Sequence, residues 1–320
     1  MNEKSFEEYI KSGNCFKLIL GAGNEDIDAI TKFVYIYALA GCKFFDVSAS
    51  INAILSAKEG LKKAGKEGCI CASIGTKDDP HMSKCKIDTS KCTVCIRCLQ
   101  GCQEGAIVFC GDTLKINDAK CIGCQKCMKF CREGAIQTYQ KEVDFEENFN
   151  EIKDYTDCIE FHITTSNKDE IYNKWEFLSK NYNGYLSIAL NRVSFSNNDI
   201  KDILSEMFKI RQEKVMIQAD GSPMSGGCDD YNTTLQAVAT ADIIRKLGFN
   251  TPILVSGGTN SKTAELLNMC NIDAQGIAIG SWARKQVREY VNKDYFWESK
   301  EVISKATDIA GNIVGLAQVF

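Results

Sequence analysis

A cysteine spacing that occurs twice constrains this chain more than anything else in it. Cys92-x-x-Cys95-x-x-Cys98-x-x-x-Cys102 is followed by Cys121-x-x-Cys124-x-x-Cys127-x-x-x-Cys131. Two-residue gaps let three thiolates from one tight loop face a common centre. The doubled run is the spacing of bacterial proteins with two [4Fe–4S] clusters, in which the fourth cysteine of each run ligates the other cluster. The expected ligand sets are Cys92, Cys95, Cys98 and Cys131 for cluster 1, and Cys121, Cys124, Cys127 and Cys102 for cluster 2. The competing readings, a zinc site or a set of buried thiols, need no such doubling. The text after each run repeats too, Cys102-Gln-Glu-Gly-Ala-Ile107 and Cys131-Arg-Glu-Gly-Ala-Ile136, which points to a pseudo-twofold module. Gln103 and Arg132 stand where a proline usually follows the fourth cysteine; proline is no ligand, so binding is expected to survive. Cys85 and Cys110 lie beside the pattern but outside it, and read as free small side chains. Ile107–Ile116 reads as a hairpin turning at Gly111-Asp112.

Seventeen cysteines would suggest disulfides in a secreted chain. The first residues, MNEKSFEEYIKSGN, are charged and polar, with no apolar stretch like that of a signal peptide. No uncharged apolar run reaches the ~18 residues of a membrane span. The expectation is therefore a cytoplasmic protein in a reducing compartment, where cysteines bind metal. The formal charge of −4, from 38 basic and 42 acidic side chains, gives no electrostatic reason to expect nucleic acid as a partner.

Around the cysteine segment, strand and helix patterns alternate. Strands are expected at 16–20, 44–47, 69–74, 158–163, 186–190, 215–218, 253–255 and 276–279, with helical patterns between them and a final amphipathic helix over 300–318. Eight strands separated by helices imply a parallel sheet and a TIM-like (β/α)8 barrel; a doubly wound open sheet is the competing arrangement. The barrel is expected to comprise residues 1–84 and 141–320, with residues 85–140 forming a ferredoxin-like 2[4Fe–4S] insertion after the third strand. The loops that follow barrel strands open on the C-terminal face, where active sites of such barrels lie. The clusters are thus expected beside the mouth.

Several mouth residues invite attention. Gly257 and Gly258 end the seventh strand, and Gly280 and Ser281 end the eighth. Glycines there let backbone N–H groups approach a phosphate, as in FMN-dependent and phosphosugar barrels; tight turns alone are the alternative. Gln218 and Asp220 lead into a small polar loop, Gly221 to Gly227, suited to cover a flat ligand or merely to lie on the surface. Period-two alternation puts Glu160 and His162 on one face of the fourth strand, with Lys17 and Asp46 as further interior candidates. Glu160, His162 and Lys17 are the candidate catalytic residues, packing roles being the alternative. His81, in Asp78-Asp79-Pro80-His81, sits just before the cysteines.

The order of these motifs resembles the light-dependent period (LdpA) iron–sulfur proteins of cyanobacteria and their bacterial relatives. The resemblance rests on Lys17-Leu-Ile-Leu-Gly-Ala-Gly23, Asp79-Pro80-His81, the cysteine runs, Glu160-Phe-His162, Asp220-Gly-Ser-Pro-Met-Ser-Gly226, Ser256-Gly-Gly-Thr-Asn260 and Gly280 to Lys285. It implies cluster binding and the sensing of cellular redox state as a circadian input, and it supplies no established catalytic residues. Two functions are expected to compete. One is electron transfer or redox sensing with a redox partner protein. The other is a barrel oxidoreductase holding FMN or another phosphate-bearing small molecule at the mouth and fed by the clusters.

Overall fold

The structure, a computed structural model, describes residues 1–21, 23–76, 83–222 and 229–319. His81 with its Asp-Asp-Pro neighbours, and the Pro-Met-Ser-Gly loop, lie outside the described residues. Among the described residues, eight parallel strands close into a barrel. The chain begins with α1 (Glu3–Lys11) and β1 (Cys15–Ile19), followed by α2 (Ile27–Leu39), β2 (Phe44–Ser48), α3 (Ile51–Ala64) and β3 (Cys69–Gly75). The cysteine-rich segment follows, built from β4 (Ser83–Ile87), α4 (Arg97–Gly101), β5 (Ile107–Cys110), β6 (Thr113–Ile116), α5 (Lys126–Phe130) and β7 (Ile136–Gln140). The barrel resumes with α6 (Phe145–Ile152), β8 (Cys158–His162), α7 (Lys168–Asn181), β9 (Tyr185–Asn191), α8 (Asn197–Ile210) and β10 (Val215–Asp220). It ends with α9 (Tyr231–Lys246), β11 (Ile253–Ser256), α10 (Thr263–Met269), β12 (Gly276–Ile279), α11 (Ser281–Val291) and α12 (Lys300–Gly315). Around the barrel the order is β1-β12-β11-β10-β9-β8-β3-β2.

The strands are buried on both faces, and their alternation separates two environments. Phe16, Leu18, Ile70, Ile159, Phe161, Ile188, Ile217 and Ile277 face outward into the apolar layer beneath the helices. Inward-facing Cys15, Phe44, Cys69, Cys71, Cys158, Tyr185, Met216 and Leu254 fill the base of the barrel. Above that layer the same faces carry Lys17, Asp46, Ser73, Glu160, Ser187 and Gln218, all buried. A barrel of this kind has a packed interior arranged in side-chain layers; here the lower layer is apolar and the next is polar.

No helix is expected from the sequence before Cys15, yet α1 is present and closes the base of the barrel. Phe6 and Ile10, four residues apart and hence on one helical face, join the base layer. The Phe6 ring meets Phe44 and Tyr185 edge-on, with centroids 4.9 and 5.0 Å apart. Asn2 caps the helix by accepting from the Ser5 N–H. The charged composition of this stretch hides an amphipathic helix whose signal was the Phe6–Ile10 spacing and the preceding asparagine.

Phe6→Ala should cost about 3–5 kcal/mol, because the base layer cannot collapse into the space; denaturant titration of the whole chain measures it.

Candidate metal centre

The cysteine segment is a duplicated unit in space as well as in sequence. β4 pairs antiparallel with β7, Ile87 opposite Ile136, and β5 pairs with β6, Ile107 opposite Ile116. The twofold relation matches Cys92 with Cys121, Ile87 with Ile116, Ile107 with Ile136, and Cys85 with Leu114. Each half forms a pocket. One is walled by Cys92, Cys95, Cys98 and Cys131, with Ile87, Leu114 and Ile136. The other is walled by Cys121, Cys124, Cys127 and Cys102, with Ile116, Cys85 and Ile107. Each cavity thus takes three thiols from one run and the fourth from the other run.

The loop backbones suit a sulfur-rich anion. Val94 and Ile96 in the first loop, and Gly123 and Gln125 in the second, have φ between 54° and 66°. A β-branched residue in the left-handed region is a true outlier, and such strain collects at functional sites. Turns of this kind gather successive N–H groups into anion-binding concavities, as at Fe–S centres. Gly123 is also a packing requirement, since a Cβ there would lie 2.1 Å from the Ser83 carbonyl oxygen. The repeated Glu-Gly-Ala text has a local cause too. Gly105 and Gly134 turn the chain with positive φ, so that the Ala106 and Ala135 N–H groups donate to Sγ of Cys102 and Cys131, each at 3.3 Å.

Every described cysteine is free of a disulfide. Among the described residues no three His, Cys, Asp or Glu side chains converge on a single-ion site. A cubane differs from an ion in that its ligands stand apart around a volume, which is how the thiols line these two cavities. Soft thiolates are also the donors that select Fe–S clusters. The residues therefore fit the group.

The two halves are not equivalent in their surroundings. Lys84 is 3% exposed, and its ammonium donates to the carbonyls of Gly23 at 2.5 Å, Asp118 at 2.7 Å and Cys121 at 2.8 Å, clamping the second cavity's loop to the loop after β1. Glu104, two residues after Cys102, pairs with Arg284 and Arg288 of α11 at 3.3 and 2.5 Å. Burial pushes the Glu104 carboxyl up, but the two guanidinium groups outweigh it and hold it below its ordinary value. The contact therefore persists through mild acid and weakens only below the usual carboxylate range. The second cavity adjoins the barrel; one cysteine of each cavity, Cys95 and Cys124, is exposed, and the large apolar side chains of Ile96 and Phe130 are exposed around the first. Cys110 is exposed on β5, as a free side chain would be. Cys85 is free as expected, but it is buried in the wall of the second cavity beside Cys121 and Cys127. Its proximity, opposed by burial, brings the Cys121 thiol down to about 6.

The barrel interior holds the other sequence candidates. Lys17 bonds to Glu160, to Gln218 Oε1 at 2.9 Å and lies 3.6 Å from Asp46. Glu160 also accepts from Gln218 Nε2 at 2.9 Å and Ser187 at 3.2 Å, and meets His162 Nε2 at 2.7 Å. Gln218 reaches Asp220 at 3.2 Å. Burial opposes the Lys17 charge, but Asp46 and Glu160 raise the group well above its ordinary value. Burial lifts Asp46 to about 6 against the pull of Lys17, while Lys17 and His162 overcome burial at Glu160 and lower it. A nucleophilic lysine needs a depressed pKa; Lys17 is instead a sealed countercharge. At the mouth, Gly257 and Gly258 take φ of 71° and 75°. A Cβ on Gly257 would lie 2.5 Å from the Gly221 nitrogen, so close packing of the two loops itself demands glycine. Gly280 precedes α11 and packs on Ile19; Ser281 opens that helix. A cleft of about 240 Å³ between module and barrel is lined by Ser48, Ser50, Lys84, Lys141, Asn148 and Glu151. No described helix is long and apolar enough to cross a membrane.

Fold and site together define a parallel eight-stranded barrel that is also a 4Fe–4S iron–sulfur protein. Residues 114–137, which contain the second cysteine run, match the 4Fe-4S binding domain, and residues 152–317 match the Light dependent period A C-terminal domain. The chain belongs to the light dependent period A family. It is 28% identical over 302 residues to Light dependent period A of Synechococcus elongatus, covering 88% of this chain and 83% of that protein. In fold it is similar to the YdjI aldolase from Escherichia coli K12, with a TM-score of 0.51 at 6% identity over 97% of this chain and 96% of that one. A truncated 3-deoxy-D-arabino-heptulosonate 7-phosphate synthase from Thermotoga maritima aligns with a TM-score of 0.49 at 10% identity, over 95% and 87% of the respective chains. The aldolase likeness shows the barrel and nothing of its chemistry.

Lys17→Met should destabilise the chain by about 3–5 kcal/mol, because it leaves the Glu160 carboxylate buried without its ammonium. The double variant Lys17→Met/Glu160→Gln should lose less than the two single changes together, as anaerobic denaturant titration of all three would reveal.

Proposed function

We propose that this protein carries two [4Fe–4S] clusters and acts in electron transfer or redox sensing, with the barrel as the platform on which the cluster module is docked. The observation that carries this reading is the division of eight cysteines between two cavities, each drawing its fourth thiol from the opposite run. Cys92, Cys95, Cys98 and Cys131 would hold the outer cluster; Cys121, Cys124, Cys127 and Cys102 would hold the inner one. The clusters supply reversible one-electron storage. The chain supplies thiolates, N–H groups aimed at Cys102 and Cys131, and a dry wall of isoleucines.

The asymmetry of the module supports a direction. Exposed Cys95, with Ile96 and Phe130 beside it, offers a redox partner protein a partly apolar contact at the outer cluster. The inner cluster lies against the barrel, next to the Lys84 clamp and the Glu104–Arg284–Arg288 contact. A reducing cytoplasm is the compartment in which such thiolates persist.

A second reading, an oxidoreductase with FMN or another phosphate-bearing ligand at the mouth, draws support from one feature. The cleft between module and barrel is lined by Lys84, whose ammonium donates to the Cys121 carbonyl, so a small molecule there would lie near the loop of the inner site. Flavin released by acid from anaerobically purified protein would favour that reading.

Anaerobic protein should contain about eight iron atoms per chain, as two [4Fe–4S] clusters require. Cys131→Ser should perturb the same cluster as Cys92→Ser, leaving matching residual EPR spectra, while Cys102→Ser should match Cys121→Ser. Pairing within runs instead of across them would defeat the assignment.

A further inference from the structure

The duplication within the module supplies its own control. The strand residues and N–H contacts of the two cavities correspond: Ile87 with Ile116, Ile136 with Ile107, Ala135 with Ala106, and the contacts to Cys131 and Cys102 at the same 3.3 Å. Loop positions differ, Ile96 against Gln125 and Thr93 against Ile122; the strand position that differs is on β4 and β6. Leu114 lines the outer cavity, 1% exposed; Cys85, its counterpart, lines the inner cavity, also 1% exposed. The Cys85 side chain lines the inner cavity together with Cys121 and Cys127, two of the three ligands supplied by that loop, and packs in one buried cluster with them. β4 fixes it there by pairing Cys85 with Thr138 of β7. Cys85 is therefore held by the sheet against the sulfurs and is not a stray buried thiol.

We infer that Cys85 is a positioning residue that donates an S–H hydrogen bond to the ligand sulfurs of the inner cluster and sets its reduction potential above that of the outer cluster. The inference rests on the two-cluster reading above. One electron converts [4Fe–4S]2+ to [4Fe–4S]+, with no bond made or broken, and the added charge spreads onto the sulfurs. A donor to those sulfurs therefore favours the reduced state, and hydrogen bonding to sulfur is one of the levers that set cluster potentials. Leu114 offers the outer cluster no donor. The buried ammonium of Lys84, bonded to the Cys121 carbonyl at 2.8 Å, acts in the same direction on the same cluster. An electron delivered to the outer cluster thus comes to rest on the inner one, beside the barrel.

The test is an EPR-monitored redox titration of the full chain, with mediators and dithionite as reductant, alongside iron and sulfide counts. Wild type should show two separate midpoints. Cys85→Leu, which installs the residue of the twin position, should keep all its iron and move the upper midpoint negative by about tenfold in the reduction equilibrium, about 59 mV for one electron. Cys85→Ser, which keeps a donor, should hold the upper midpoint nearer to wild type. Leu114→Cys is independent of how Cys85 variants fold, and should move the lower midpoint positive. Unchanged midpoints in Cys85→Leu and Leu114→Cys would overturn the inference while leaving the two-cluster reading intact. Loss of about four irons in Cys85→Leu would overturn it as well, making Cys85 a ligand. Wild-type protein with fewer than two clusters would remove the reading beneath it.

Discussion

An insertion into a closed barrel has to leave and return at nearly the same point, and the antiparallel pairing of β4 with β7 meets that condition. Ser83 lies opposite Gln140 and Ile87 opposite Ile136, so the two ends of the cysteine-rich segment form one ribbon. β3 and β8 remain free to pair with each other, Cys71 with Cys158 through Gly75 with His162, as if nothing had been inserted. The rest of the arrangement follows from that ribbon. It carries Lys84 into the carbonyl cage, Cys85 into the inner cavity wall, and Ile87 and Ile136 into the outer one.

The barrel and the module are held to each other by charge rather than by apolar area. Lys84 makes three contacts to carbonyls, and Glu104 is shared by Arg284 and Arg288. Such buried polar contacts add little net stability, but breaking one partner is expensive because the other is left uncompensated. They specify one docking geometry of the module on the barrel. The barrel interior uses the same device around Lys17 and Glu160, where polar side chains replace the branched aliphatic layers usual in such barrels.

Much of this was legible in the residues. Period-two alternation placed Lys17, Asp46 and Glu160 on inward faces, and the regular succession of strands and helices announced the barrel. The spacing of the cysteines is the basis of the proposed ligand sets. What stayed hidden depended on long-range packing. The helix before Cys15 was masked by its charges, and only the base layer it covers makes Phe6 and Ile10 meaningful. Cys85 was indistinguishable from Cys110 in the sequence, since its partners lie across a β-ribbon. The repeat presents Glu104 and Glu133 as equals, and nothing local says which of them meets arginines on α11.

That last difference has an evolutionary side. A duplicated unit starts with two copies of every side chain under the same demands. Docking has separated them: Glu104 is half-enclosed by two guanidinium groups, whereas Glu133 is exposed to solvent. Drift at position 133 is cheap, while position 104 is tied to the identities of residues 284 and 288, far along the chain. Among relatives that keep this arrangement, those three positions should vary together or not at all, so the contact between module and barrel would be readable from an alignment alone.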